Sequence, residues 1–395
     1  MNQTQDFTKG VIWKQLLFFF FPILIGSFFQ QLYNTVDTII VGQAVGTSAL
    51  AAVGSTGNLT SLIVNFYVGL STGASVVIAQ YYGAQNNKKI HQAVHTSYSL
   101  AIVSGILMML FGLFFSYQCL DAIGTPHDIL NDATLYMQLY FLCMIPGAIY
   151  NIGAGILRAV GDSKRPLYYL IVCSIVNVVF DFIFVVIFHQ GIAGAAIATV
   201  IAQFVCAILV TIQLMRTNEV YKLTLSKMKF HLPVLKKIIM IGAPAGIQST
   251  MYSISNIVLQ SHINAFGTQT IASWSVYVKI DALFWMMIAA IGAAITTFSG
   301  QNYGAHLHDR IKKGTRTALA MAFIMTISIS TILCLTGSYI TRLFSSDPHI
   351  IEECYSLMLF LMPFYFLYCC VEIFSGTMRG CGAVSYTHLR AHETR

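Results

Sequence analysis

Polar and acidic side chains lie at helical spacing inside two long apolar stretches of this sequence. Gln30, Asn34 and Asp37 are four and three residues apart, so an α-helix places them on one stripe. Asn177 and Asp181, four residues apart, share a helical face in the same way. A carboxyl group held out of water can bind and release a proton, or hold Na+ together with nearby amide and hydroxyl oxygens. The alternative is that these groups only join neighbouring helices by hydrogen bonds.

The stretches that contain these residues are long enough to cross a membrane. Hydrophobic residues make up 56% of the chain and charged residues 9%, and the mean hydropathy is +0.70, which excludes an ordinary soluble domain. About 20 apolar residues in a helix cross a hydrocarbon core of about 30 Å. Ten spans are predicted, approximately at residues 15–40, 52–80, 93–117, 134–157, 167–189, 193–215, 236–262, 272–300, 315–337 and 354–377.

The second half of the chain repeats the first at a distance of 221 residues. The motif QYYGA recurs as QNYGA and GILRAVG recurs as GTMRGCG, which pairs Gln80 with Gln301, Gly83 with Gly304, Gly155 with Gly376, Arg158 with Arg379, and Gly161 with Gly382. Repeats in apolar chains are typical of transporters whose binding site lies between two halves. We therefore predict an all-α integral membrane protein with two pseudo-symmetric six-helix bundles around a central cavity.

The repeat also predicts what should follow Gly382. The first copy continues with DSKRP and two further spans, whereas the second continues with AVSYTHLRAHETR, which has no apolar periodicity. We expect residues from about Val384 to be a non-native tail, so that ten of twelve spans are present. The predicted domains are an N-lobe at 1–215 with spans 1 to 6, a cytoplasmic linker at 216–237, an incomplete C-lobe at 238–383 with spans 7 to 10, and the tail at 384–395.

Basic residues fall almost entirely on one side of the predicted membrane. With a cytoplasmic amino terminus, nearly all lysines and arginines, Arg158 and Arg379 among them, lie in cytoplasmic loops, while the opposite side carries mostly acids. This asymmetry follows the positive-inside rule. It predicts a multi-pass protein of the cytoplasmic (inner) membrane with a cytoplasmic amino terminus, and it explains the net charge of +7 without nucleic acid as a partner.

Further charged residues lie within the spans of the second half. Charged side chains inside a membrane usually face a cavity or a partner. Lys279 and Asp281 are close together in one span, so we expect a salt bridge or a position near its outer mouth. Glu372 stands 221 residues after Asn151 and so occupies the pseudo-symmetric position.

With these motifs the chain resembles the MATE (multidrug and toxic compound extrusion) transporters. The resemblance covers about residues 10–383 and rests on Pro22 in FFPILIG, Asp37 in NTVDTIIVGQAVG, QYYGA, NIGAGILRAVGDSKRP, and Asn177 with Asp181 in NVVFDF. It implies two six-helix bundles arranged in a V. It also implies export of organic, often cationic drugs or dyes by antiport against H+ or Na+, with no cofactor and with no metal other than Na+ at Asp37 and Asp181.

The resemblance implies roles for single residues as well. The coupling cation is assigned to an N-lobe network of Asp37, Asn151, Asn177, Asp181 and Thr199. Separately from the resemblance, we expect substrate to bind at polar, aromatic or charged residues of the spans, namely Gln30, Tyr33, Asn34, Asn256 and Glu372. Pro22 matches a proline at which the first span bends in some members, because proline frees a backbone carbonyl and permits a kink. Span 7 has no carboxylate, which departs from relatives that place a coupling acid there.

Other functions fit the sequence less closely. A lipid-linked oligosaccharide or lipid flippase of the same superfamily is the alternative, but it should have a cationic cavity, and the charge within these spans is mainly acidic. A membrane enzyme would need a catalytic constellation, yet the sequence contains neither an HExxH motif nor a P-loop. An ion channel would need a filter motif. We therefore predict a monomeric secondary multidrug efflux transporter, not an enzyme, whose partners are small cationic compounds and the bilayer.

Overall fold

The computed structural model describes residues 5–345 and 347–383, whose regular structure is entirely helical. Helices satisfy their own backbone hydrogen bonds, which lipid requires. The prediction of an all-α membrane protein is confirmed. The helices are α1 (Ile12–Ala44), α2 (Thr47–Gly83), α3 (Asn87–Ala122), α4 (His127–Phe141), α5 (Met144–Ala159), α6 (Lys164–Asp181), α7 (Gly191–Arg216), α8 (Leu232–Asn264), α9 (Thr268–Gly304), α10 (His308–Thr341), α11 (Pro348–Leu361) and α12 (Tyr365–Cys381).

The helices recur at the interval of the sequence repeat. α2 and α9 begin at Thr47 and Thr268 and end at Gly83 and Gly304, which are 221 residues apart at both ends. Helices α1 to α5 therefore correspond to α8 to α12. Counterparts of α6 and α7 would fall after residue 383, outside the described residues, and so does the predicted tail.

Eight helical stretches in the described part of the chain are long and apolar enough to cross a membrane, and the pair α4–α5, bent by 45°, makes a ninth. These nine overlap nine of the ten predicted spans. The tenth prediction, 236–262, lies in α8, which is helical but is not among them. Polar residues such as Gln248, Ser249, Ser253 and Asn256 interrupt its apolar sequence. Large apolar residues of α8, among them Ile247, Ile254 and Val258, are nevertheless exposed on its outer face.

Helices α2 and α8 cross closely because both lack side chains at the contact. A Cβ atom added to Gly69 would lie 2.3 Å from the Cα atom of Gly246. One added to Gly73 would lie 2.7 Å from the Cα atom of Gly242. Only glycine allows two helix backbones to approach this far. The crossing brings the first helix of the second repeat against the second helix of the first repeat.

Two glutamines of the repeated motif join the halves of the molecule reciprocally. The Gln80 Nε2 atom donates to the carbonyl oxygen of Gly380 at 2.9 Å, and the Gln301 Nε2 atom donates to the carbonyl oxygen of Ala159 at 2.8 Å. Gly380 and Ala159 are themselves 221 residues apart. The two bonds are therefore related by the pseudo-symmetry of the repeat, and each connects one lobe to the other.

The glycines of the QxYGA motif, Gly83 and Gly304, are required where α2 meets α9. A Cβ atom on Gly83 would lie 1.8 Å from the carbonyl oxygen of Gln301. A Cβ atom on Gly304 would lie 1.8 Å from the carbonyl oxygen of Gln80. Any side chain there would push α2 and α9 apart. The contact explains why both glutamine and glycine occur in both copies of the motif.

The segment before α1 covers this junction. Phe7 is fully buried, and its backbone N–H donates to the Gln301 Oε1 atom at 3.0 Å. The Asn302 Nδ2 atom and the Arg310 Nε atom donate to the carbonyl oxygen of Phe7 at 3.1 and 2.9 Å. The first half of α1 continues into the core of the opposite lobe, where Phe19 is buried with Phe298 of α9. The predicted N-lobe range 1–215 therefore includes a segment, Phe7 and the first half of α1, that packs against the second lobe.

The segment between the two repeats is shorter and more tightly packed than the predicted linker at 216–237. Helix α7 ends at Arg216 and α8 begins at Leu232. Tyr221 is buried against the N-lobe core, and the backbone N–H of Thr224 donates to the Nε2 atom of the buried His95 at 3.0 Å. Packing and hydrogen bonds hold this segment against the first lobe, so it is not a free tether.

Candidate functional site

Two carboxyl groups meet inside the first lobe. Asp37 lies in the last third of α1, and Asp181 is the last residue of α6, which packs against α1. The two carboxyl groups are close enough to interact directly, and Asp181 is fully buried. A π-helical turn, Phe182–Ile187, starts immediately after Asp181. Such turns widen a helix locally and are frequent at functional sites.

The oxygens of these two acids lack donors. Among the described residues, no hydrogen-bond donor reaches Asp37 Oδ1, either Asp181 carboxylate oxygen, or the nearby Asn177 Oδ1. None of the ion pairs formed by the described residues includes Asp37 or Asp181. Two adjacent carboxylates repel each other, and a buried charge without a partner is costly. A proton shared between the two groups, or a cation bound by both, would remove that cost.

Polar side chains surround the pair on other helices. The Asn177 Nδ2 atom donates to the Thr199 Oγ1 atom at 3.3 Å, which joins α6 to α7. Tyr136 on α4 lies near both acids, and Tyr140, one turn along α4, lies near Asp37. The two tyrosine rings stack on each other. Amide, hydroxyl and carboxyl oxygens together are suitable ligands for a small cation.

Asn151, predicted to belong to this network, lies elsewhere. Its Nδ2 atom donates to the carbonyl oxygen of Gly147 in its own helix at 2.8 Å, and its carbonyl oxygen accepts from the Ser71 Oγ atom at 2.6 Å. The residue lines a cavity of about 320 Å³ between the two lobes. Five residues were predicted to bind the cation. The structure brings the two acids, Asn177 and Thr199 together inside the first lobe, whereas Asn151 faces the cavity between the lobes.

The cavity between the lobes is formed by α1, α2, α5, α8, α9 and α12. Small and hydroxyl-bearing residues make up much of its wall, and three charged side chains also reach it. Its lining residues are Ile23, Val68, Gly69, Ser71, Thr72, Ser75, Asn151, Arg158, Ala245, Ser249, Ala289, Ala293, Thr296, Thr297, Glu372 and Arg379.

The charged residues of this cavity differ from the expectation. Arg158 and Arg379, predicted in cytoplasmic loops, lie in the last turns of α5 and α12 and line the cavity. Glu372 also lines it, but its Oε1 atom forms an ion pair with Arg379. The carboxylate predicted to receive a cationic substrate is thus already paired. Two guanidinium groups and one carboxylate give this cavity a positive rather than an acidic balance.

The other predicted substrate residues do not line this cavity. Gln30, Asn34 and Asn256 are exposed on α1 and α8. Tyr33 points into the first lobe, near Tyr140. Pro22 is buried inside α1, which continues as one helix through it. The roles assigned to these residues stay predictions.

Asp281 in the second lobe has different surroundings from those expected. Its Oδ1 atom accepts from the Tyr365 hydroxyl at 2.5 Å, and its Oδ2 atom accepts from the Trp285 Nε1 atom at 2.6 Å. Among the ion pairs of the described residues there is none between Lys279 and Asp281. The aspartate is 9% exposed and fully hydrogen-bonded. It is therefore a satisfied structural acid, buried in the lobe rather than exposed at an outer mouth.

Sequence reasoning missed Tyr136, Tyr140 and Arg158 as site residues. The two tyrosines carried a usable signal, because they are four residues apart and so share one face of α4. The signal for Arg158 was in the repeat itself. Its equivalent Arg379 has Glu372 seven residues before it, whereas Arg158 has Asn151 at the same distance.

One segment of α2 has the sequence pattern of a catalytic serine motif but not the backbone structure of that motif. GLSTG at residues 69–73 has the form GxSxG. A catalytic serine in that motif sits on a sharp turn between a strand and a helix. Ser71 lies in the middle of a continuous helix and donates to Asn151. It is a helix contact and not a nucleophile.

Comparison with known proteins identifies what this architecture is similar to. The MatE family model matches residues 22–183 and 244–388. The "Probable multidrug resistance protein YoeA" of Bacillus subtilis (strain 168) is 26% identical over 388 residues, which cover 96% of this chain and 84% of that protein. A solved structure described as the "outward-facing conformation of a multidrug resistance MATE family transporter of the MOP superfamily" superposes with a TM-score of 0.91 at 24% identity, covering 98% of this chain and 86% of that one. A structure of "MATE in complex with MaD3S" gives a TM-score of 0.90 at 25% identity, covering 97% and 85%.

Proposed function

This chain belongs to the MatE family, and we propose that it is a secondary active multidrug exporter that exchanges drug for H+ or Na+ by alternating access. The proposed substrate class follows from the relatives, among them the probable multidrug resistance protein of Bacillus subtilis. The family is one of membrane transporters, so the proposal does not require a catalytic group. The proposal that transport is coupled to an ion must be argued separately, from residues of this chain.

The observation that carries ion coupling is the pair of facing carboxyl groups, Asp37 and Asp181. Three of their four oxygens have no donor among the described residues. A group that binds a cation reversibly must not be neutralised permanently by lysine or arginine. The acids meet that condition, and Asn177 and Thr199 add further polar atoms within the same lobe.

The proposed cycle follows from this site. A cation from outside binds Asp37 and Asp181 while the cavity faces outward, and drug leaves. The lobes then rock so that the cavity faces the cytoplasm, the cation is released, and drug enters. One positive charge moving inward across 100 mV supplies about 2.3 kcal/mol, enough for roughly a 50-fold concentration ratio of a neutral drug.

The proposed orientation places the amino terminus in the cytoplasm of a bacterial cell, in the cytoplasmic membrane. It is supported by the distribution of Lys and Arg along the chain. In that orientation the junction of Gln80 with Gly380 and of Gln301 with Ala159 lies on the cytoplasmic side. We propose a monomer, since the two lobes that form the cavity come from one chain.

Transport by reconstituted protein tests the proposal. Proteoliposomes loaded with ethidium receive either a Na+ gradient at constant pH or a pH gradient without Na+, and ethidium flux is followed by fluorescence. We expect one of the two gradients to drive flux in the wild type. Asp37→Asn protein, present in the vesicles in equal amount, serves as the matched control and should show no gradient-driven flux.

The two gradients separate the possible outcomes. Flux driven only by Na+ identifies Na+ as the coupling ion, and flux driven only by the pH gradient identifies H+. Gradient-driven flux of wild-type rate in the Asp37→Asn variant contradicts the coupling role of the pair. Absence of flux in the wild type under both gradients contradicts the proposed function as a whole.

A further inference from the structure

The cavity between the lobes contains an arginine that has no acidic partner among the described residues, although the hydroxyl of Tyr150 lies near it. Arg158 lines this cavity from the last turn of α5. No described residue forms a hydrogen bond or an ion pair with its guanidinium group. A guanidinium group remains charged under all ordinary conditions, and a charge held among apolar helices is costly unless it is paired.

The equivalent arginine of the second lobe, Arg379, has the carboxylate partner that Arg158 lacks among the described residues. Arg379 pairs with Glu372, and both residues line the same cavity. The repeat places Asn151 at the position equivalent to Glu372. An asparagine has no charge to offer, and its Nδ2 atom is committed to the carbonyl oxygen of Gly147. The two halves thus contain the same arginine, but only one half contains the carboxylate.

We infer that Arg158 binds the carboxylate of transported compounds, so that the substrates include organic carboxylates and zwitterions. This inference rests on the proposed function and names a substrate class for it. An arginine binds a carboxylate through two parallel N–H···O bonds, and such charge-assisted bonds are stronger than neutral ones. A substrate carboxylate would supply at Arg158 what Glu372 supplies at Arg379.

The surroundings of Arg158 favour an anionic group over a cation. Hydroxyl groups of Ser75 and Thr297 line the same cavity and can donate to an anion, whereas the Thr72 hydroxyl already donates to the carbonyl oxygen of Val68 at 2.9 Å. The one carboxylate of the cavity, Glu372, is neutralised by its own arginine. A volume of about 320 Å³ is enough for an aromatic acid group, with the remainder of a larger compound extending beyond it.

A pair of dyes that differ only at the carboxylate tests the inference. Rhodamine B is a carboxylate zwitterion near neutral pH, and its ethyl ester is a cation with the same ring system. Binding to the purified protein in a neutral detergent is measured by fluorescence polarisation. In the wild type we expect rhodamine B to bind about tenfold more tightly than the ester, since the additional charge-assisted contact is available only to the acid.

The matched variant is Asn151→Glu, which gives the first lobe the carboxylate of the second. The new side chain should pair with Arg158 as Glu372 pairs with Arg379. We expect it to weaken rhodamine B binding about tenfold and to leave the affinity for the ester unchanged or slightly higher. Arg158→Gln should weaken rhodamine B binding similarly. Asn151→Gln, which adds length but no charge, controls for the change of size, and gel filtration checks that each variant is folded.

The outcomes separate this inference from the proposed function. Equal affinity of wild-type protein for both dyes, or an equal loss of both in Asn151→Glu, overturns the carboxylate subsite. Binding of phosphatidylglycerol that depends on Arg158, without any preference for rhodamine B, assigns the arginine to lipid and also overturns it. In each of these cases, ethidium flux in the vesicle assay still supports an exporter. Failure of that flux, in contrast, removes the proposed function and leaves the binding result to stand by itself.

Discussion

The two lobes share a frame and differ in the chemistry that the frame holds. Both contain the glutamine and glycine that join α2 to α9, with matching bonds at 2.9 and 2.8 Å. In the first lobe, Asp37 and Asp181 face each other without donors among the described residues. In the second lobe, Asp281 accepts two hydrogen bonds from aromatic residues. The shared frame therefore holds two acids without donors in one lobe, at the proposed cation site, and a hydrogen-bonded acid in the other.

The acids do not follow the repeat. The position equivalent to Asp37 in the second lobe is Val258, and the position equivalent to Asp281 in the first lobe is Thr60. The glutamines and glycines that hold the lobes together are thus the same in the two copies within this one chain, and so are Arg158 and Arg379, whereas the acids Asp37 and Asp281 are not repeated. In the proposed cycle, the repeated residues would hold the two lobes together, and the acids that differ between the copies would give the lobes different roles.

The largest expected difference separates the acids of the two lobes. Asp181→Asn should lower gradient-driven drug accumulation by about 50-fold, to the undriven level, because it removes one of the two groups proposed to bind the coupling ion. Asp281→Asn should leave that accumulation ratio unchanged, because the carboxylate it replaces is already hydrogen-bonded within the lobe. The measurement is the steady-state ratio of ethidium across vesicle membranes under the effective gradient.

The two variants act as controls for each other. Asp281→Asn should lower the free energy of unfolding by about 1 kcal/mol, since an amide reproduces its two accepted hydrogen bonds imperfectly. Asp181→Asn should not destabilise the protein, because no described residue donates to that carboxylate. Loss of coupling in Asp281→Asn with retention in Asp181→Asn would reverse the assignment of the lobes.

A smaller difference is expected between the two arginines of the cavity. Glu372→Gln leaves Arg379 without its carboxylate and should lower the free energy of unfolding by about 3 kcal/mol. Arg158→Gln removes a guanidinium that has no ion partner among the described residues, so the free energy of unfolding should stay the same or rise. Reversible unfolding of the purified variants in mixed micelles provides both values.

A double variant sharpens this test. Glu372→Gln combined with Arg379→Gln removes both members of the pair and should recover most of the loss caused by Glu372→Gln alone. If Arg158→Gln proves as destabilising as Glu372→Gln, Arg158 has a structural partner after all, and the asymmetry between the lobes is weaker than the contacts indicate.

Several of these features could be predicted from the sequence because they depend on local spacing or on repetition. The helical class followed from apolar length, and the meeting of Asp37 with Asp181 was suggested by polar stripes on two spans. The correspondence of α2 with α9 was implied by the repeat of the QxYGA motif, and the structure adds the backbone contact that requires glycine in both copies.

Other features depend on which helices meet, and no spacing along one helix contains that information. The position of Asn151 on the cavity wall depends on the approach of α5 to α2. The ion pair of Arg379 with Glu372 was not predicted, because Arg379 was assigned to a cytoplasmic loop. The distribution of basic residues does not distinguish a loop from the last turn of a helix, where Arg379 lies. Asp281 was misjudged because Tyr365, its donor, is 84 residues away in the chain.

The smallest expected difference lies within the shared frame, between its two glutamines. Gln80 makes one hydrogen bond across the junction, from its Nε2 atom to Gly380. Gln301 makes the equivalent bond to Ala159 and also accepts from the backbone N–H of Phe7, which has no counterpart at Gln80 among the described contacts. Gln301→Ala should therefore destabilise the closed junction by about 2 kcal/mol and Gln80→Ala by about 1 kcal/mol, at about 1 kcal/mol for each hydrogen bond.

Hydrogen exchange of the Phe7 amide reports on this difference directly, because that N–H has the Gln301 side chain as its acceptor. Gln301→Ala should accelerate exchange in the peptide that contains residues 5–10, while Gln80→Ala should leave it near the wild-type rate. Gln301→Glu retains an oxygen acceptor for Phe7 but loses the Nε2 donor to Ala159, so it separates the two bonds. If Gln80→Ala accelerates exchange at Phe7 as much as Gln301→Ala does, the junction opens as one unit. In that case the segment before α1 does not stabilise the junction separately, and the bonds of Gln80 and Gln301 stabilise it equally.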